Sequence, residues 1–348
     1  MNQMTLSLDE RANIDFVLHL RRRWADTLYP ELATQVQEAL SNGAENIERT
    51  MHDQPSYPWF AWLERGSQKM LWRAVSDVVS AHPNYTSLDG ANTWGLELDP
   101  DLELPQWYTD WDIHVQPGGV WRNGASARVY ELGSKLVMMG ENDDYMFHHT
   151  FVETAVPKRV YGRIADLGCG FGKSTWTFKQ AYPEADVVGI ELSAPCLRLA
   201  HEKVKAMGLD VRFRQADVCA TGLEDASCHL VTATMLVHEI PLEVLPAFFR
   251  ECWRLLVPGG LLRVLDFHTT GQPLRDLVMA EHGARNNEPF MPPMMAANLL
   301  DMCREAGLDE ARWVAFDERG TGRLDDLDWP QRQEWHFPWA VLEAEKSA

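Results

Sequence analysis

The sequence predicts a doubly wound α/β fold, a seven-stranded and mostly parallel sheet with helices on both faces, behind a helical N-terminal region rich in tryptophan. Three observations carry this reading. A short apolar run ends in Asp166-Leu167-Gly168-Cys169-Gly170-Phe171-Gly172 and opens directly into a helical pattern. From residue 161 onward, apolar runs of strand length alternate with helical stretches of about ten residues or more, as parallel sheets with crossover helices require. The next two strands end on acids as well, Glu191 and Asp217, at the strand ends where such sheets bind ligands.

The elements follow in chain order. Ile14, Val17, Leu18, Trp24 and Leu28 have helical spacing, Leu32, Val36 and Leu40 continue it after Pro30, and Leu71, Ala74, Val75, Val78 and Val79 form another stripe. Between Pro55 and Gly124 the periodicity breaks, and this stretch carries Trp59, Trp62, Trp72, Trp94, Trp107, Trp111 and Trp121. These rings are expected to plug gaps against the α/β layer, with some of them walling a small-molecule pocket. Helices are expected over residues 130–139 and 145–153, then a strand over 161–167. Val187 to Glu191 and Val211 to Asp217 read as the second and third strands. Between them Ser193 caps a helix with Leu197, Ala200, Val204 and Met207 buried and Gly208 as its stop. His229 to Glu239 contains the fourth strand. Phe249, Cys252, Trp253 and Leu256 make a buried stripe before the Pro258-Gly259-Gly260 turn, and the fifth strand runs to Asp266. An insertion over 269–293 includes Glu281-His282 and a Pro/Met-rich stretch. The last strands are expected over 312–316 and 335–343.

Glycines at 168, 170 and 172 strip Cβ atoms from the turn, so main-chain N–H groups can approach a ligand closely. The dinucleotide fingerprint G-x-G-x-x-G needs its third glycine where Lys173 stands, so the spacing argues against NAD. The segment Asp166 to Gly172 resembles motif I of the class I S-adenosylmethionine-dependent methyltransferases of the small-molecule type. The acid Glu191, nineteen residues beyond Gly172, the strand ending at Asp217 and the segments 229–239 and 255–266 resemble the later motifs in order. The resemblance covers roughly residues 145 to 346. It implies S-adenosyl-L-methionine as cofactor and S-adenosyl-L-homocysteine as its product. It also implies that Asp166 serves the amino group of the donor and that the turn with Gly168, Cys169, Gly170 and Gly172 passes its methionine part. Glu191, followed by Leu192, would take the ribose hydroxyls, while Asp217 and Val218 would meet the adenine. Met235 would lie beside the donor, and Tyr145 near its carboxylate. The final two strands resemble the antiparallel closing pair of that family, and the 269–293 insertion its acceptor cap.

Composition narrows the function classes. With 32 Lys and Arg against 51 Asp and Glu, the formal charge of −19 repels phosphate backbones and anionic membranes, so neither nucleic acid nor membrane is an expected partner. Arg21-Arg22-Arg23 is expected on a solvated helix face. No apolar run reaches the length of a membrane span and the N-terminus lacks a signal-peptide pattern, so the expected location is cytoplasmic. Six cysteines at 169, 196, 219, 228, 252 and 303 form no C-x-x-C pair and read as reduced thiols, and no metal site is expected.

Methyl transfer is an in-line displacement at an activated carbon, so the protein mainly aligns the partners and supplies a base only for a protonated nucleophile. Catalytic candidates are His238, His149 and His282, with His148 less favoured. The expected function is a methyltransferase acting on a small organic molecule at O, N or C, with aromatic content and acidic surface favouring a neutral or cationic acceptor. Residues 1–144 would cover the substrate and could serve a homodimer, and 145–348 would bind the cofactor. The competing readings are a relative that keeps the donor but catalyses a non-methylating reaction, and a non-catalytic ligand-binding module of the same fold.

Overall fold

A computed structural model describes residues 5–88, 93–139 and 145–347. The apolar runs pair into one sheet: β1 (Leu96–Glu97), β2 (Arg163–Leu167), β3 (Asp186–Glu191), β4 (Arg212–Gln215), β5 (Cys228–Thr234), β6 (Leu256–Phe267), β7 (Leu308–Asp317), β8 (Gly322–Arg323) and β9 (Trp339–Lys346). Their order is β1-β4-β3-β2-β5-β6-β9-β7-β8. The strands from β1 to β6 pair parallel, whereas β9 pairs antiparallel with both β6 and β7. The doubly wound arrangement and the antiparallel closing pair therefore hold, but among the described residues the sheet has nine strands where seven are expected. The two additional pairings, β1 and β8, involve strands of two residues each, too short to leave an alternating signature in sequence.

The strand order reverses at β2, with β3 on one side and β5 on the other, so a crevice opens at the C-terminal ends of these three strands. Helices Lys173–Ala181, Ala194–Met207 and Leu245–Leu255 supply the crossovers. The β5–β6 register shifts between the pairs Cys228↔Leu256 and Leu230↔Leu261, which absorbs the Pro258-Gly259-Gly260 segment into an irregular β6. The last strand begins at Trp339, after Pro338, rather than at Trp335. Met207 and Trp253 are exposed, not buried; the stem of Lys346 places its Nζ 3.9 Å from the centre of the Trp253 ring.

At the N-terminus, Ser7 and Glu10 form a capping box that starts helix Leu8–Arg23. The helical pattern continues past Pro30 as expected, through a π-helical turn at Trp24–Leu28 that carries the chain into Tyr29–Ser41. Helix Tyr57–Ala81 packs beside them. Trp24, Leu32 and Phe60 share one apolar core with Val231, Leu262 and Val341 of the sheet, so the N-terminal helices are built onto the α/β layer. Arg21 is buried rather than solvated. One of its guanidinium nitrogens bonds the Gln68 side chain, another donates to the Val137 carbonyl at 3.0 Å, and burial lowers its pKa to about 10. The insertion after β6 has structure of its own, helices Pro273–Arg285 and Met291–Ala296. It is clamped to the N-terminal helices by His282–Glu64 (2.5 Å), His52–Glu281 (2.5 Å) and the Arg285–Glu64 pair. The expected boundary between residues 144 and 145 begins within a stretch outside the described residues. Among the described residues no helix is long and apolar enough to cross a membrane.

Candidate functional site

The end of β2 is fixed by two main-chain bonds: Gly168 N and Cys169 N both donate to the Ile190 carbonyl, at 2.8 and 3.0 Å. Gly168 adopts φ +69°, and a Cβ there would stand 2.5 Å from Leu236 Cδ1. Gly170 turns at φ +53° and points its N–H at Glu191 Oε2, 3.0 Å away. Two glycine-dependent positions thus tie the turn of β2 to the acid at the end of β3. Above them lies a cleft of about 970 Å3, open mouth included. Gly168, Cys169, Gly170, Glu191, Leu192, Val218 and Met235 line it, as the sequence reading expects.

Four other expected cofactor residues do not line this cleft. Asp166 is fully buried beneath the turn. Its Oδ2 accepts hydrogen bonds from the Ser174 and Thr175 hydroxyls, each at 2.6 Å, so it anchors the start of the following helix. Oδ1 has no partner among the described residues, and burial raises the carboxyl pKa to about 6 despite the two hydroxyls. Gly172 packs as the N-cap of helix Lys173–Ala181. Asp217 spends Oδ1 on the Cys219 N–H at 2.8 Å. Tyr145 sits at φ 58° and packs its ring edge-on against Phe171 and Trp176.

The far wall of the cleft comes from the irregular N-terminal stretch. Trp107, Tyr108, Trp111, His114, Trp121 and Tyr130 face the glycine turn. Tyr108 donates its hydroxyl to Glu191 Oε1 at 3.0 Å, the same oxygen that accepts the Ser193 N–H at 2.8 Å. Burial raises the Glu191 pKa, opposed by these bonds. Thr234 and Trp121 line the cleft, with Oγ1 and Nε1 buried and without partners among the described residues. Lys173 is buried at its edge and has its pKa lowered to about 8 by desolvation. Of the seven tryptophans, three wall the cleft and Trp72 is packed in the core; Trp59, Trp62 and Trp94 are largely exposed, so the gap-filling role does not extend to them.

A second cavity, about 720 Å3 with its open mouth included, shares His114, Tyr130, Lys173, Met235 and Glu239 with the first. Trp72, Phe267, Phe337 and Trp339 give it apolar walls, and Arg21, Gln68, His238, His282 and Glu288 give it polar ones. His238, at the end of β5, bonds Asp266 Oδ1 through Nδ1 at 2.7 Å. Burial alone would depress its pKa, but Asp266 outweighs this and raises it. Asp266 Oδ2 also accepts the main-chain N–H groups of Leu236 (3.0 Å) and Val237 (2.8 Å), which explains a buried acid there. His282 lines this cavity but is engaged by Glu64. His149 lines neither cavity; it is half-buried on helix Met146–Ala155, whose inward position is taken by His148. Both ring nitrogens of His148 lack partners among the described residues, and burial lowers its pKa well below the usual value.

Sequence reasoning missed Tyr108, His114, Lys173, Glu239 as a wall of both cavities, and Glu288. Glu239 lies within a recognised segment, next to His238, and could have been added. The others stand in stretches without periodicity or follow a motif that draws the eye to its glycines.

Residues 164–260 match the family model described as a methyltransferase domain. This segment is a methyltransferase domain of the class I, S-adenosylmethionine-dependent family. The chain is 33% identical over 138 residues to a demethylmenaquinone methyltransferase of Thermus thermophilus, covering 40% of this chain and 60% of that one. It is 27% identical over 204 residues to a trans-aconitate 2-methyltransferase of Afipia carboxidovorans, covering 52% and 77%. An O-methyltransferase family protein from Burkholderia thailandensis superposes with a TM-score of 0.45 at 17% identity, over 64% of this chain and 60% of that one. The family's donor fits the cleft of this methyltransferase domain on its own geometry. A Cβ at Gly168 would strike Leu236, which lines the cleft, a Cβ at Gly170 would stand 3.3 Å from the Tyr130 ring across it, and Glu191 lines its wall at the end of β3.

Proposed function

We propose that this chain transfers a methyl group from S-adenosylmethionine to a small organic acceptor at O, N or C. The observation that carries the reading is the junction of two cavities: a cleft over the glycine turn shares Met235, Tyr130 and Lys173 with a second, aromatic-walled cavity beside it. When bound, the sulfonium donor supplies an already activated methyl carbon. What this chain contributes is placement. The turn around Gly168 and Gly170 offers main-chain groups to the methionine part, Glu191 the ribose site, and Val218 the adenine side. Asp166 acts from beneath, by fixing the helix start through Ser174 and Thr175. Met235, held at φ 56°, borders the passage between the cavities.

The acceptor chamber combines aromatic walls with charged groups of both signs, which suits an amphipathic molecule with a planar or apolar body and a polar reacting end. His238, oriented by Asp266, is the catalytic candidate facing that chamber; His282 shapes it while paired to Glu64. Side chains from Arg21 to Met138 roof both cavities, and residues 145–347 carry the donor cleft. The exclusion of nucleic acid and membrane partners belongs to the same proposal on the strength of the acidic charge, a cytoplasmic location on that of the unpaired cysteines, and a homodimer on that of the N-terminal region. Calorimetry with S-adenosylmethionine, S-adenosylhomocysteine and NAD tests the donor: the first two should bind and NAD should not. Failure of both to bind would end the proposal. A metabolite screen for the mass gain of one methyl group then identifies the acceptor.

A further inference from the structure

Two imidazoles and one carboxylate converge where the cavities join. His114 Nε2 lies 3.2 Å from Glu239 Oε1, and His238 Nε2 lies 3.9 Å from the same oxygen. All three donor atoms fall within 4.8 Å of one another, the one such group of His, Cys, Asp and Glu among the described residues. Two ligands each about 2.1 Å from a tetrahedral ion stand roughly 3.4 Å apart, so these atoms need only small movements to share one.

Each imidazole is held from behind by a carboxylate. His238 Nδ1 bonds Asp266 at 2.7 Å, and His114 Nδ1 bonds Glu288 at 2.8 Å. Commitment of both Nδ1 atoms leaves both Nε2 atoms directed at Glu239. A carboxylate behind each ligating histidine, fixing its ring and tautomer, is the arrangement metal sites use. His114 is delivered by a backbone that few residues adopt, φ 57° at His114 and 55° at the β-branched Val115. Such outliers persist where the surroundings enforce them, and they cluster at ligand sites. Lys173 also lines this junction and Arg21 the second cavity, while the carboxylates Glu239 and Glu288 line the same cavity and Asp266 stands behind His238.

We propose that His114, His238 and Glu239 bind a divalent transition-metal ion through the two Nε2 atoms and a carboxylate oxygen, with the remaining positions open to the acceptor chamber. Two nitrogen ligands favour the zinc and cobalt class over magnesium or calcium, which take oxygen. This goes against the expectation drawn from cysteine spacing, which says nothing about histidines from separate segments. The ion would take an oxygen or nitrogen of the acceptor and hold it toward the donor cleft, and this second part rests on the methyl-transfer reading. On this assignment His238 is a ligand rather than a free base.

The test uses the full, untagged chain, dialysed against chelator and titrated with Co2+ and then Zn2+. One Co2+ per chain should bind, with visible bands of low-coordinate cobalt that Zn2+ abolishes. His114→Ala and Glu239→Gln should each weaken Co2+ binding at least a hundredfold and remove the bands. Glu288→Gln, behind the ligand, should weaken it about 10–100-fold, and His149→Ala should change nothing. Thermal unfolding checks that each variant is folded, and S-adenosylhomocysteine calorimetry runs in parallel. Absence of stoichiometric Co2+ binding in a folded chain, or bands that survive both ligand substitutions, would overturn the site. In that case the same atoms are a proton-held hydrogen-bond chain. If S-adenosylhomocysteine binds and Co2+ does not, the metal assignment fails alone; if Co2+ binds and S-adenosylhomocysteine does not, the donor reading fails alone.

Discussion

Replacing Tyr108 by phenylalanine should tighten the binding of S-adenosylhomocysteine. A carboxylate offers four lone-pair sites. Glu191 uses three of them: Oε1 accepts from Ser193 N at 2.8 Å and from the Tyr108 hydroxyl at 3.0 Å, and Oε2 accepts from Gly170 N at 3.0 Å. A ribose diol held by both oxygens needs two, so one present donor has to leave. Two of the three are main-chain groups built into the turns, and only the tyrosine belongs to a side chain that can swing away. A hydrogen bond to a charged acceptor contributes about 1.5–3 kcal/mol net. Tyr108 is half-buried and would regain water when released, so the lower figure of about 1.5 kcal/mol applies, roughly a tenfold change in Kd. Isothermal calorimetry of wild type and Tyr108→Phe measures it directly. An unchanged or weaker Kd would mean that the tyrosine assists the ribose instead of competing with it, and the lone-pair argument would fall.

Other outcomes follow from the same geometry. Asp166→Asn should stabilise the ligand-free chain above pH 6 and leave it unchanged below pH 4. Burial lifts the native pKa from 3.8 to about 6, so the folded state holds the proton more tightly and ionisation costs roughly 3 kcal/mol; urea unfolding across this range reads it, and a pH-independent difference would contradict the assignment. Gly168→Ala forces an L-residue to φ +69° against Leu236, at about 1–2 kcal/mol for the backbone alone, and should cut donor affinity at least tenfold while the chain still folds. His148→Phe removes two unpartnered buried nitrogens and should be neutral or stabilising by about 1 kcal/mol with donor affinity intact; loss of methyl transfer in that folded variant would restore His148 as a catalytic candidate.

Where the chain repeats a period, sequence was a sufficient guide. The buried stripes of the first helices, the strands β2 to β5 and the glycine turn are all local patterns, and the turn's ligand side followed from its bare main chain. The acids were harder, because an acid at a strand end points either into the crevice or beneath it: Glu191 does the first and Asp166 the second, a difference made by burial under the following helix. Tyr108 and His114 were out of reach. They stand in a stretch with no periodicity, and their places are set by packing against β3 and the insertion and by a left-handed backbone at His114 that no residue type announces. His149 failed for a simpler reason, since of two neighbours on a helix the inward place went to His148.

The pairing of β1 with β4 has a practical consequence for anyone dissecting the molecule. Among the described residues, Leu96↔Phe213 and Glu97↔Arg214 cover that margin of the parallel sheet, together with the Gly95 carbonyl that accepts the Phe213 N–H. A fragment starting at residue 145 would keep every strand that bears a recognised motif and still strip β4, leaving its main-chain groups free to template pairing with another copy. Such a truncation is headed for aggregation, and the stretch bearing β1 is better regarded as a solubility guard that no minimal version of the chain can discard.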